Sequence, residues 1–302
     1  RILVIRLSSI GDVILTTPVL AAIRKEYPNA VIHFLVMDKF ADAIRGNPNI
    51  DKIILFPRDA YKGLTGIIRF AQAIRHQRYN LIIDLHARIR TILISLLINA
   101  KVLRYKKRSL WKSILVPLRL ARYHVDDTIV RNYFKPLEKI HVYFSTESLT
   151  FNFDKSALSS VKSHQGCIVM APGAARNTKR WPTEYYAALG KMLNEPIVLV
   201  GDTADFERLE KIREKIGTRC KNLAGNLDLK ECGALMSVSK YVISNDSGPF
   251  HVARGVSAKV WVIFGPTDPG MFEYDPDAVL IYEKIPCSPC STSLSSCSRA
   301  WS

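Results

Sequence analysis

Tyr241 to Gly255 reads YVISNDSGPFHVARG, and its residue types point to anion binding. Tyr241-Val242-Ile243 is a short, β-branched run that predicts a buried strand. Ser244-Asn245-Asp246-Ser247-Gly248 then supplies turn and helix-start chemistry, and a helical pattern carrying His251 and Ala253 follows. The order strand, polar turn, helix leaves unpaired backbone N–H groups at the helix start, where the positive end of the helix dipole also lies. Phosphate is well held at such a place. Ser247 adds a hydroxyl, Gly248 lets a ligand approach the backbone, and His251, one turn on, faces back toward it. The competing reading is structural: Asp246 or Ser247 caps the helix, and His251 is an ordinary packed histidine.

A second polar cluster is Ala174 to Trp181, AARNTKRW. Arg176, Lys179 and Arg180 follow the turn Pro172-Gly173-Ala174, and three cations beside a glycine turn suit a pyrophosphate. The alternative is a solvated loop. Similar turns occur at Gly201-Asp202, at Gly265-Pro266-Thr267-Asp268 and, near the start, at Ser8-Ser9-Ile10-Gly11-Asp12. Neither half of the chain carries the spaced glycines of a Walker loop or of the dinucleotide fingerprint, which counts against a P-loop ATPase and a typical NAD enzyme.

The elements that must position these turns alternate. Apolar runs predict strands at 2–7, 31–36, 52–56 and 81–85. A helix starts at Thr17-Pro18 and stops near Pro28, and another covers 64–78. After a polar stretch without strong period, 151–165, strands recur at 167–170, 197–200, 241–243 and 260–264. Strand alternating with helix argues for parallel βαβ units. The expectation is an α/β protein of two Rossmann-like domains in tandem, 1–150 and 151–302. Ligands then sit at the carboxyl ends of the strands and in the cleft between the domains. Between 86 and 135 the pattern is weaker.

The chain has 302 residues, 48% hydrophobic and 23% charged, a composition that fills a core and excludes a largely disordered protein. It opens without Met, directly on a strand, and is expected to start just inside the native N-terminus with no signal peptide ahead of it. No apolar run approaches the ~20 residues of a membrane span. The net charge of +16 calls for an anionic partner: nucleic acid, anionic membrane or phosphorylated substrate. It is uneven. No acidic residue lies between Asp84 and Asp126, where Arg88, Arg90, Lys101, Arg104, Lys106, Lys107, Arg108, Lys112, Arg119 and Arg122 fall. Trp111, Leu115 and Leu118 are interleaved with them, a basic amphipathic pattern suited to an anionic lipid surface, or else a solvated helical face. Cys167, Cys220 and Cys232 are scattered, as in a reducing compartment. Cys287, Cys290 and Cys297 cluster, but three cysteines fall short of the usual four zinc ligands, so disulfide and metal readings both stay open.

RLSSIGDVILTTPVLAAIRKEYP from Arg6, HVDDTIVRNYFKPLEKI from His124, APGAARNTKRWPTEYY from Ala171, SNDSGPFHVA from Ser244 and VIFGPTDP from Val262 resemble, in order, segments of the heptosyltransferases of glycosyltransferase family 9. The resemblance implies a GT-B fold and an inverting, metal-independent transferase without a cofactor. Its C-terminal domain would hold a nucleotide-sugar, typically ADP-heptose. Its N-terminal domain would hold a lipid-linked, phosphorylated glycan acceptor, typically the inner core of lipopolysaccharide. Asp12 falls on the family's proposed base, which takes the proton of the attacking hydroxyl. Lys179 falls on the lysine that neutralises the departing diphosphate. Asp246, Ser247, Gly248 and His251 fall on the donor signature, with Gly173, Ala174 and Arg176 along the nucleotide and Asp205 toward the ribose. Arg6 follows the basic residue before the serine pair and would meet an acceptor anion, beside Ser8, Ser9 and Gly11. Pro249-Phe250 fills the variable positions of the signature and leaves base and sugar open. The implied location is cytoplasmic, peripheral on the anionic inner face of the inner membrane. Another nucleotide-sugar or acceptor is the nearest alternative. A nucleic-acid-binding protein rests on the net charge alone, since no nucleic-acid module is present.

Overall fold

Residues 1–106, 125, 127–146, 148–272, 277–285 and 288 are described by a computed structural model. The chain forms two compact units, and the later boundary between them in sequence falls between Thr150 and Phe151.

The described part of the first unit runs β1 (Ile2–Ile5), α1 (Ile10–Ile14), α2 (Thr17–Glu26), β2 (Ile32–Met37), β3 (Lys52–Phe56), α3 (Gly63–Arg75), β4 (Leu81–Asp84), α4 (Ile89–Ile98), β5 (Lys101–Arg104) and α5 (Ile129–Phe134). The strands make one parallel sheet in the order β3-β2-β1-β4-β5. All four residues of β1 and all six of β2 are buried, as expected of parallel strands covered on both faces. Leu3, Ile5, Leu35, Ile82 and Ile94 share one core cluster with Phe56 and Phe70.

The second unit runs α6 (Lys155–Val161), β6 (Ile168–Ala171), α7 (Thr183–Met192), β7 (Ile197–Leu199), α8 (Phe206–Ile216), β8 (Cys220–Asn222), α9 (Leu229–Val238), β9 (Tyr241–Asn245), α10 (Gly248–Gly255), β10 (Val260–Phe264) and β11 (Ala278–Tyr282). Its sheet is again parallel, in the order β11-β10-β9-β6-β7-β8. In both sheets the strand order reverses beside the first strand of the unit, at β1/β4 and at β6/β9. Chains leave those two strands in opposite directions, so a crevice opens at their carboxyl ends.

Three details depart from expectation. The stretch at 86–135 contains α4 and β5, hidden from a periodicity reading because α4 is apolar on nearly every side. β8 and β11 are edge strands with exposed positions; β8, CKN, carries little apolar signal, whereas β11, AVLIY, is a full apolar run that the expected strands leave out. The polar join contains α6, started by Asp154, whose Oδ1 accepts the Ala157 N–H at 2.9 Å. Cys167 and Cys220 are buried free thiols and Cys232 is half-buried. Burial pushes Cys167 and Cys220 up to about 11 and Cys232 up to about 12, so these are inert packing residues. Cys287, Cys290 and Cys297, and the basic residues Lys107, Arg108, Lys112, Arg119 and Arg122, lie outside the described residues.

Candidate functional site

In the first unit the chain leaves β1 through Arg6 to Ser9 and enters α1. Ser9, in extended backbone, is the N-cap and Asp12 is the third helical residue. Asp12 Oδ2 accepts the Ser9 N–H at 3.2 Å and the Ser9 hydroxyl at 3.0 Å, the reach-back of a capping box. Its other oxygen is free for a different partner. Arg6 Nη2 sits 2.8 Å from Oδ1. Arg6 Nε donates to Ser8 O at 2.9 Å, and Nη1 donates across the β1/β4 switch to Leu85 O at 2.6 Å. The Tyr133 ring lies under the guanidinium, 5.6 Å from its carbon. Burial disfavours both charges, but each is outweighed by its partner. Asp12 is held down at about 2, with the Ser9 hydrogen bonds helping, and Arg6 is held above its ordinary value. The Asp12 side chain stays 33% exposed while that of Arg6 is 10% exposed. A capped, ionised carboxylate thus presents itself to solvent on a fixed base. The two oxygens divide the work, Oδ2 capping the helix and Oδ1 pairing with Arg6.

Arg6 is expected from the sequence to meet an acceptor anion. The structure instead engages all three of its nitrogens within the unit, as the support of Asp12. Gly11 is buried, Ser8 is half-buried and Ser9 is exposed. Cations that do face open space lie at the carboxyl ends of β2 and β3, where Lys39, Arg58, Lys62 and Arg90 line a cavity of about 480 Å³ with Asp38 and Asp59. Arg90 Nε is buried without a hydrogen-bond partner, which an anion would satisfy. The sequence carries little sign of this cavity, because its residues come from the loops after β2 and β3 and from α4. Asp84, at the end of β4, is fully buried and saturated. It accepts from the N–H groups of His86 and Ala87, the Thr91 hydroxyl and Arg104 Nε at 2.9–3.1 Å, and it fixes the start of α4.

In the second unit the residues singled out in the sequence gather at the β6/β9 switch. Lys179 closes a 3₁₀ turn, Asn177–Lys179, after β6. Its Nζ lies 2.5 Å from Oδ2 of Asp246, which follows β9 and is 5% exposed. Ser247 is the N-cap of α10, and its hydroxyl donates to Asn245 O at 3.3 Å rather than capping the helix. Gly248 and Phe250 carry N–H groups of the first turn, while Pro249 carries none. His251 is 5% exposed, with its ring 4.7 Å from Phe250 and 5.2 Å from Phe272. Gly173 and Ala174 are buried in the loop after β6. A Cβ on Gly173 would come within 2.5 Å of Asp205 Oδ2, so this glycine makes room for Asp205. Asp205 in turn pairs with Arg208 Nη2 at 2.6 Å. Arg176 Nη1 is buried without a partner. Of the three cations in this loop, Arg180 serves the loop itself: Nε donates to Ala174 O at 2.7 Å and Nη1 to Asn177 Oδ1 at 2.8 Å. Thr267, after β10, is 2% exposed and its hydroxyl has no partner.

Asn245, which composition marks only as a turn residue, clips this site together. Fully buried, it donates to Pro172 O at 2.8 Å and accepts from the Trp181 N–H and the Tyr186 hydroxyl, both at 3.1 Å. It therefore joins the ends of β6 and β9 to the loop that carries Lys179. Asn245→Ala strands three buried polar groups and is expected to destabilise by roughly 2–3 kcal/mol, a drop of several degrees in Tm. A melt within a degree of the parent would show that the clip carries no strain-bearing role.

The sequence profile of glycosyltransferase family 9 (heptosyltransferase) matches residues 67–300. Lipopolysaccharide heptosyltransferase 1 of Campylobacter coli is 25% identical over 289 residues, covering 88% of this chain and 84% of the relative. The crystal structure of a family 9 glycosyl transferase from Veillonella parvula superposes with a TM-score of 0.80 at 25% identity, over 93% of this chain and 86% of that one. An Escherichia coli heptosyltransferase solved with ADP superposes with a TM-score of 0.73 at 21% identity, over 93% of this chain and 92% of that one.

Proposed function

Because this chain belongs to glycosyltransferase family 9, and so is a glycosyltransferase of GT-B fold, we propose that it moves a heptose from ADP-heptose to a lipid-linked, phosphorylated inner-core acceptor of lipopolysaccharide. The reaction is inverting, without cofactor or metal. The observation that carries this reading is the Lys179–Asp246 pair at the β6/β9 switch, beside the first turn of α10. A cation, two N–H donors and the helix dipole converge where a nucleotide diphosphate binds in such sheets. Arg176 Nη1, on the loop after β6, and the Thr267 hydroxyl, after β10, are both buried and unpartnered and serve in this reading as further donors. The E. coli relative solved with ADP supports the choice of nucleotide.

In this reading Gly173 and Ala174 lie along the nucleotide, Asp205 meets the ribose, and Asp246, Ser247, Gly248 and His251 form the diphosphate wall. Lys179 neutralises charge on the leaving diphosphate, the role a divalent ion would otherwise take. Asp12 takes the proton of the acceptor hydroxyl as that oxygen bonds to the anomeric carbon and the diphosphate departs with the bonding pair. A base on the face opposite the leaving group gives inversion in one displacement. Ser8, Ser9 and Gly11 shape the acceptor side near Asp12, and the basic cavity of Lys39, Arg58, Lys62 and Arg90 takes the acceptor's phosphate. The enzyme works at the inner face of the inner membrane, where such an acceptor is presented. Among the described residues no helix is long and apolar enough to cross a membrane.

A thermal-shift panel of ADP, UDP, GDP and a short single-stranded DNA tests the donor half. ADP at about a hundred times its Kd is expected to add roughly 2.7 kcal/mol, a rise of several degrees. Stabilisation by UDP or GDP alone moves the donor, and a response to DNA alone removes the reading. Turnover of ADP-heptose unchanged by EDTA is the expected result for a metal-free reaction; loss restored by a divalent ion would overturn that part.

A further inference from the structure

The Arg6 guanidinium is tied to Ser8 O, Leu85 O and Asp12 Oδ1. Its donors all lie in the plane of the group, so these bonds leave tilt out of that plane open. The Tyr133 ring closes this remaining freedom, with the guanidinium carbon 5.6 Å from the ring centre. Tyr133 is 1% exposed. Tyr105 meets it edge to face, the ring centres 5.2 Å apart and the planes at 89°.

The two tyrosines come from separate parts of the first unit. Tyr105 follows β5, where its N–H donates to Asp84 O at 3.0 Å. Tyr133 lies in α5, whose N-cap Thr128 accepts the Arg131 N–H at 3.2 Å. Just beyond α5 the chain is fastened to α2, where the Tyr27 hydroxyl donates to Ile140 O at 2.7 Å. The stack of Tyr105, Tyr133 and Arg6 thus joins the ends of β1 and β5 to a helix far along the chain.

Asp12 depends on this stack at one oxygen. Ser9 holds Oδ2 twice, while Oδ1 faces Arg6. The terminal torsion of an aspartate is broad and sets no orientation by itself, so Oδ1 points where Arg6 keeps it. A guanidinium taken out of water gains more from an aromatic face than an exposed one does. Burial holds the Tyr133 phenol above its ordinary value, so the ring is neutral and attracts the cation through its face.

We propose that Tyr133 is a positioning residue for the Asp12 carboxylate, acting through Arg6, and that Tyr105 holds the Tyr133 ring in turn. This deepens the reading of Asp12 as the base and rests on it for the effect on turnover; the effect on Arg6 is measured without substrate.

The test pairs kinetics with exchange of the Arg6 Nε–H proton, assigned by NMR as the signal missing from Arg6→Lys. The parent and Tyr133→Phe should exchange this proton slowly and turn over alike, because both keep the ring. Tyr133→Met fills the space without an aromatic face, and its Nε–H should exchange roughly tenfold faster as the contact opens. Its kcat should fall by up to about a hundredfold, the scale of a group misplaced by about an ångström. KM for ADP-heptose should not change, because the donor residues lie in the second unit. Tyr105→Leu, at a half-buried position, removes only the edge contact and should show the same pattern at smaller size, so the outcome does not hang on the folding of Tyr133→Met. Equal losses in Tyr133→Phe and Tyr133→Met would overturn the proposal, since the hydroxyl and not the ring would then act. So would slow exchange with parent kcat in both Tyr133→Met and Tyr105→Leu, or a lower kcat joined to a raised donor KM, the mark of general damage. If exchange quickens in these variants while Asp12→Asn keeps parent turnover, the positioning stands and the base reading falls.

Discussion

Asp12→Ala is expected to lower transfer by about two to four orders of magnitude, the range for losing a positioned general base, while the ADP-induced thermal shift stays at the parent value. The two readouts separate because Asp12 belongs to the first unit and every residue assigned to the donor belongs to the second. The substitution also strips Arg6 of its ion partner and leaves a guanidinium 10% exposed and uncompensated, so some loss of Tm accompanies it. Asp12→Asn controls for that: it keeps the shape and can still accept from Ser9, but cannot take a proton. Turnover within tenfold of the parent in Asp12→Asn would remove Asp12 as the base. The pH dependence follows from the same pair. The folded carboxylate titrates at about 2, below its unfolded value of about 3.9. Its contribution to stability is therefore full above the unfolded value and is lost as pH falls toward 2. Across the neutral range Asp12 is ionised, and an acid limb in kcat/KM above pH ~5 must come from another group. A carboxylate held this low is a weak base for a free hydroxyl. It becomes adequate only late in the displacement, when the attacking oxygen is already bonding to carbon and has turned acidic. That timing makes placement, and hence the Arg6 and Ser9 contacts, more important than basicity.

Much of this arrangement was legible in the chain, for a physical reason. Strands buried on both faces read as continuous apolar runs, so β1, β2, β6, β9 and β10 stood out, and polar turns stood at their carboxyl ends, where ligands bind in sheets of this kind. Lys179, Asp246, Ser247 and Gly248, which meet at the β6/β9 switch, lie within two local segments, and local segments are what spacing can reveal. What was not legible depends on contacts made far apart in the chain. Arg6 reads as a spare cation until Leu85 and Asp12 close around it. Asn245 reads as a turn residue until Pro172, Trp181 and Tyr186 converge on its amide. The basic cavity draws on the loops after β2 and β3 and on α4, so no single stretch announces it. α4 itself defeated the periodic reading because it is apolar on nearly every side, while its Thr91 turns inward to Asp84.

Lys179→Ala is expected to weaken ADP binding by about a hundredfold and to slow transfer further, by roughly 10²–10³ in kcat, the range for removing one preorganised charge stabiliser. The binding loss should exceed that of a single missing contact, because Lys179 does two things at once. In the proposed role it offers a cation to the diphosphate, and it neutralises Asp246, which is 5% exposed and 2.5 Å away. Without the lysine, a buried carboxylate faces two phosphates of the same sign. A second substitution separates these effects. Lys179→Ala/Asp246→Asn removes the repulsion and should recover much of the ADP affinity, yet it should leave kcat low, since no cation remains to meet the charge that develops on the leaving oxygen. Lys179→Arg keeps the charge but replaces a compact ammonium by a planar fork, and should hold ADP better than it restores turnover. If Lys179→Ala binds ADP as the parent does, the diphosphate lies elsewhere and the ion pair at the β6/β9 switch is only structural. If the double variant recovers kcat along with affinity, then relief of Asp246, rather than charge on the leaving group, is what Lys179 contributes.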